Sequence, residues 1–132
     1  VQGARIPQLA QQADLLPTIL DLLGCSLPSW TDGASLKPAL EGKSLPERYI
    51  FSMNLEPDRV FGPISKGTLA VMDGEFKYVI RLDSHQQSLY RYKSDRLEEH
   101  DLMASESDTA KRLHEVLFAK LQEVNQRTNR KR

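Results

Sequence analysis

The spacing of apolar residues changes along this chain, and each change marks a different kind of element. Between Asp14 and Gly24, Leu15, Leu16, Ile19, Leu20, Leu22 and Leu23 cover nearly the whole circumference of a short helix over 14–24. Asp14 is placed to cap its start, Pro17 is tolerated in the first turn, and Gly24 sits where a left-handed C′ residue is wanted. A helix apolar all round is expected to be buried on several sides, which asks for more protein than its neighbours here supply. The preceding Val1–Ala13 is polar and Gln-rich, interrupted by Pro7, and reads as a connecting segment. After it come a loop with Pro28 and an Asp32-Gly33 turn, then a short helix over 35–41, with Ser35 as its cap and Gly42 as its stop.

The period then drops to two. Residues 48–53 alternate, with Tyr49, Phe51 and Met53 on one side, and predict a half-buried strand. Asn54–Gly67 carries Pro57, Gly62 and Pro63 and reads as a long loop. Strands are predicted over 68–72 and 75–82, joined at Asp73-Gly74 by a two-residue type I′ turn. Phe76, Tyr78, Ile80 and Leu82 share one face of the second strand, and Lys77, Val79 and Arg81 the other. Another turn leads to a strand over 88–92. From Ser105 the period becomes helical, and Ala110, Leu113, Leu117, Leu121 and Val124 predict an amphipathic helix over 106–126. Ser105 and Asp108 resemble a capping box at its start. The fold class is α+β: a small antiparallel meander covered by a C-terminal helix, preceded by a helical end-piece. The boundary is expected between residues 45 and 46, so that 1–45 and 46–132 are separate parts.

At 132 residues the chain holds one small domain plus the end of another, and its basic and acidic residues balance at 18 each. That neutrality removes any global field for nucleic acid or a polyanionic partner. Arg127, Arg130, Lys131 and Arg132 crowd the end, which reads as a solvated terminus. No apolar run approaches the ~20 residues that cross a membrane. A start at Val1, with neither an initiating Met nor a signal peptide, suits an excised fragment.

Candidate chemistry is sparse. His85, His100 and His114 are far apart and form no metal-spaced pair. Glu98, Glu99 and Asp101 suit a turn and helix lead-in better than a metal site. Cys25 is the single cysteine, with no adjacent base or cation to activate a thiolate, and is expected as a small buried hydrophobe. No phosphate-cradling glycine loop and no nucleophile elbow is present. No residue is assigned a catalytic or metal-ligating role.

Three ordered stretches resemble the C-terminal part of the sulfatase family, in the alkaline-phosphatase-like superfamily. Ala13 to Gly24 is similar to its "vDl-PT-l-dl-G" helix, and Asp32-Gly33-Ala34-Ser35-Leu36 through Gly42 to its "dG-SL-pLL-G" segment. Asp73 to Val79, followed by Leu89-Tyr90, Asp95, Glu98 and Asp101-Leu102, is similar to "g-yKyi … eLYdL-xx-DP-xE-xx-NL". Departures are Arg91 for Asp, Arg96 for Pro and Asp101 for Asn.

The resemblance implies an upstream α/β domain, the partner of this segment, which holds calcium or magnesium and a formylglycine made from a C/S-x-P/A-x-R motif. Cys25 does not match that motif, since its proline comes three residues on and Trp30 stands where Arg is needed. The segment is therefore expected to be inactive alone, to self-associate through its apolar helix, and to wall one side of a sulfate-ester cleft. Arg59, Phe61 and Lys66 of the long loop and His85 of the later turn are the expected cleft contacts. By the same likeness the enzyme is exported. Two other readings stay open: a stand-alone non-catalytic binding module, and the corresponding part of a phosphodiester or phosphonate hydrolase or transferase.

Overall fold

The computed structural model describes residues 6–55 and 63–129, which divide into two compact units, Val1–Ile50 and Phe51–Arg132. The division falls later than the boundary read from the sequence.

In the first unit a 3-10 turn, Gln12–Asp14, runs into helix α1, Leu15–Leu22. The helix ends at Gly24, whose φ of +70° lets Cys25 N–H reach the Leu20 carbonyl at 2.8 Å and Gly24 N–H that of Asp21 at 3.1 Å. This is the Schellman arrangement expected of a C′ glycine. Asp14, however, is no cap. Its backbone is already helical and its carboxylate points elsewhere. The second helix, α2, spans Lys37–Leu40, shorter than expected, and ends at Gly42 with φ +80°. The Ser35 hydroxyl accepts the Lys37 N–H at 3.1 Å.

The leucine-rich helix is not buried on several sides. Only Pro17 and Thr18 are buried within it, whereas Leu15, Leu16, Ile19, Leu22 and Leu23 are 41–71% exposed. The residues that would enclose it are not supplied by its own unit. Cys25 is exposed as well, contrary to the expected buried thiol, because the helix end that carries it faces outward.

The second unit is built on a four-stranded antiparallel sheet in the order β1 (Ile50–Leu55), β2 (Gly67–Met72), β3 (Lys77–Arg81) and β4 (Gln87–Tyr90). The predicted strands exist, with bounds shifted by a residue or two. The β2–β3 turn centres on Gly74-Glu75, one residue later than read, with positive φ at Gly74 alone (+101°). Asp73 explains the shift: its Oδ1 accepts the N–H groups of Glu75 (3.0 Å) and Phe76 (2.8 Å), and a side chain that does this holds the strand end rather than the turn centre.

Helix α3 spans Ser107–Asn129 and lies on the sheet. Ser105 does not cap it, since its hydroxyl donates to the Leu102 carbonyl at 3.3 Å. The periodic residues Ala110, Leu113, Leu117 and Leu121 are all buried, against Leu69, Val71, Phe76, Tyr78, Ile80 and Leu89. Full burial of each leucine contributes about 1.5–3 kcal/mol, so this interface stabilises the unit. The segment after β4 returns along its edge: Asp101 Oδ1 accepts the Leu89 N–H at 3.1 Å and Leu102 N–H donates back to Leu89 at 2.8 Å. Asp95 orders the intervening turn by accepting the N–H groups of Glu99 and His100.

Candidate functional site

Antiparallel pairing decides which loops meet. β2 starts at Gly67, β3 finishes at Arg81 and β4 starts at Gln87, with Thr68 opposite Arg81 and Ile80 opposite Gln87. Leu82 N–H donates to the Gly67 carbonyl at 2.9 Å, and a Cβ on Gly67 would lie 2.9 Å from the Leu55 Cα. The β1–β2 and β3–β4 connections therefore emerge at one end of the sheet. Lys66 and His85 are both exposed there. Arg59 and Phe61, in the β1–β2 connection, lie outside the described residues.

Backbone geometry at this end is tightly set. Gly67 has φ +119°, and a Cβ there would come within 2.3 Å of the Asn54 carbonyl oxygen, so only glycine fits. His85 adopts φ +56°, a left-handed conformation unusual for a residue with a Cβ, at the tip of the β3–β4 turn. The turn is closed by Arg81 N–H donating to the Gln86 carbonyl at 2.9 Å. Lys66, Arg81, Asp83 and His85 are thus all exposed positions carried on the strand ends and turns at this end of the sheet.

A second polar cluster, which apolar periodicity does not register, sits under α3. The Tyr78 ring is fully buried, and its hydroxyl lies 2.9 Å from Gln87 Oε1 and 2.8 Å from His114 Nδ1. Burial pushes the Tyr78 hydroxyl up to about 12, so it stays protonated. The His114 ring stacks on Phe118 at 4.3 Å and meets Tyr78 edge-on at 5.8 Å. Beside it is a groove of about 310 Å3, lined by Gln87, Met103, Ser107, Ala110, Lys111 and His114. His114 lies half-buried at the edge of this packing. What alternation could not disclose is that the hydroxyl of a core tyrosine would meet it.

The first unit has a polar centre of its own. The Asp14 side chain is fully buried and accepts bonds from Gln11 N–H (2.8 Å), Ala34 N–H (3.0 Å) and both terminal nitrogens of Arg48. Burial alone would raise its pKa, but the Arg48, Ala34 and Gln11 bonds outweigh it and hold the carboxyl below the ordinary 3.8. Thr18 and Asp21 continue the pattern: Thr18 Oγ1 accepts Leu36 N–H at 2.9 Å, and Asp21 takes the Ser35 hydroxyl at 2.6 Å and Lys37 Nζ at 3.2 Å. Gly33 makes the approach feasible, since a Cβ there would fall 1.9 Å from the Ala13 carbonyl oxygen. All of this is satisfied structural bonding.

Among the described residues no three His, Cys, Asp or Glu side chains gather as a metal site. Cys25 has only the Leu23 carbonyl at 4.0 Å beside its sulfur.

No family profile matches the sequence. The chain is similar to bovine arylsulfatase A, 41% identical over 73 residues, which is 53% of this chain and 13% of that protein. It is similar to the solved structure of a 2-O GAG sulfatase (29% identity, TM-score 0.60), covering 88% of this chain and 24% of that one. It is also similar to a phosphonate monoester hydrolase from Silicibacter pomeroyi (28% identity, TM-score 0.57), covering 83% and 24%. The chain thus spans about a quarter of the length of the solved proteins it matches.

Proposed function

We propose that this chain, a C-terminal segment of the sulfatase family, serves sulfuric ester hydrolysis by a longer enzyme, as a structural support and as one wall of its substrate cleft. The observation that carries this reading is the coverage: nearly nine tenths of this chain aligns with a quarter of a solved sulfatase. The exposed apolar side of α1 supports it, since a large apolar patch on a soluble chain asks for a cover. An upstream domain of the same protein is that cover. It also supplies the nucleophile, a formylglycine, and the calcium or magnesium that polarises the sulfate, so the segment alone turns nothing over.

Within the cleft, the loop end of the sheet is the part that meets substrate. Lys66 and His85, with Arg59 and Phe61 of the preceding connection, are the contacts: cations for a sulfate or acidic sugar, and an aromatic ring for a sugar face. The test is kinetic. The full-length enzyme should hydrolyse 4-nitrophenyl sulfate, and the 132-residue chain should not. Arg59→Ala and Lys66→Ala should each lower kcat/KM about tenfold on a sulfated saccharide, the loss of one charge-assisted contact, while sparing 4-nitrophenyl sulfate. Unchanged kcat/KM on every substrate removes these residues from the cleft.

The likeness to a phosphonate monoester hydrolase favours a second reading, phosphonate-ester or phosphodiester hydrolysis on the same scaffold. Turnover of 4-nitrophenyl phenylphosphonate in preference to the sulfate, by the same full-length enzyme, would select it.

A further inference from the structure

The groove beside α3 is absorbed neither by the core nor by the loop end of the sheet. Its polar lining is an amide, a hydroxyl, an ammonium and an imidazole, with no carboxylate among them. Tyr78 determines how two of these groups face. Its hydroxyl donates to Gln87 Oε1, which turns the amide NH2 of Gln87 away from the core. Having given its one proton to Gln87, the hydroxyl receives Nδ1–H from His114 at 2.8 Å. The other ring nitrogen, Nε2, lies at the opposite edge of a ring clamped by Phe118.

We propose that the groove binds a small oxyanion, through the Gln87 amide that Tyr78 orients, the Ser107 hydroxyl and the ammonium of Lys111, with the His114 ring held beside them. Among the described residues Lys111 forms no ion pair, so its charge is available to a ligand. The Gln87 amide NH2, the Ser107 hydroxyl and the Lys111 ammonium can all donate, and a sulfate, phosphate or carboxylate accepts from each of them. The groove is open and its volume far exceeds one such ion, so the anion is either free or a substituent on a larger molecule such as a sugar.

The experiment is a titration of the full 132-residue chain at constant ionic strength. The resonances followed are the Gln87 side-chain amide and the His114 ring nitrogens, and the probes are inorganic sulfate, inorganic phosphate and glucosamine 6-sulfate. Saturable shifts at both residues, weakened about tenfold by Lys111→Ala and retained by Lys111→Arg, support the site. Lys111 is exposed, so its replacement leaves the core intact; Lys111→Gln, which keeps the stem, serves if the alanine variant unfolds. Tighter binding of the sugar sulfate identifies a saccharide substituent as the ligand, and equal binding identifies the free ion. Shifts that chloride reproduces, or that Lys111→Ala leaves unchanged, overturn the proposal.

Discussion

Asp14 and Arg48 form the most consequential pair of single residues. A carboxylate with no exposure, holding two backbone N–H groups and a guanidinium, keeps its charge because its folded pKa lies below the ordinary 3.8. The folded form therefore binds the proton less readily than the unfolded chain. Its contribution to stability is complete above the ordinary carboxylate range and is lost as the pH falls through the folded value. Arg48→Ala leaves the buried charge uncompensated and should cost the first unit about 3–5 kcal/mol. In melts from pH 7 to pH 3 the variant should also lose less stability on the acid side than the parent, because its folded Asp14 no longer binds the proton so much less readily than the unfolded chain. Identical acid profiles would mean that Arg48 does not hold Asp14 charged. Tyr92 makes the opposite case. Its hydroxyl is buried with no hydrogen-bond partner among the described residues. Tyr92→Phe should therefore be neutral or stabilising by about 1 kcal/mol in a denaturant titration, and a clear loss would reveal a partner for that oxygen.

At the scale of elements, the first unit shows why two separate sequence stretches travel together. Asp14, Thr18 and Asp21 recur on one side of α1, and each takes a backbone or side-chain donor from residues 34–37. The resemblance identified both stretches, but periodicity counts apolar positions and is blind to a polar side that finds its own partners, so the bonds from Asp14, Thr18 and Asp21 to residues 34–37 were not legible in it. The capping role given to Asp14 failed for the same reason, since a carboxylate near a helix start is read as a cap unless a distant arginine is known. Gly33→Ala tests the closeness of the two stretches. Its Cβ would strike backbone atoms of Ala13 and Asp14, which cannot swing aside. The first unit should lose about 1–3 kcal/mol or more, read as a fall in midpoint denaturant concentration, whereas Gly24→Ala meets no atom and pays only for its positive φ.

For the whole molecule, the second unit was the more legible half. Alternation and the Ala110–Leu121 stripe specified the meander, its helix and most of the core, because burial there is local and two-sided. The site was legible only as far as topology allows: Lys66 and His85 share an end of the sheet, and the groove under α3 depends on a tyrosine hydroxyl that apolar patterning does not register. The exposed side of α1 bears on the molecule as a whole. Ile19→Lys with Leu22→Lys, both on exposed positions, should leave the melting temperature of the 132-residue chain unchanged while reducing its binding of a hydrophobic dye and its self-association in sedimentation. The same pair placed in the full-length enzyme should reduce its stability. A double variant neutral in both settings would remove α1 as the covered surface.

Asp101 has a bearing on chemical ageing. Both N–H groups that it accepts, from Leu89 and from Met103, fall on one oxygen, Oδ1. The second branch of the side chain is idle in this turn, so an amide nitrogen or a carboxylate oxygen serves equally well there. An asparagine in the same place would keep both bonds through its own Oδ1, so direct hydrolysis of a side-chain amide there leaves the edge of β4 sealed.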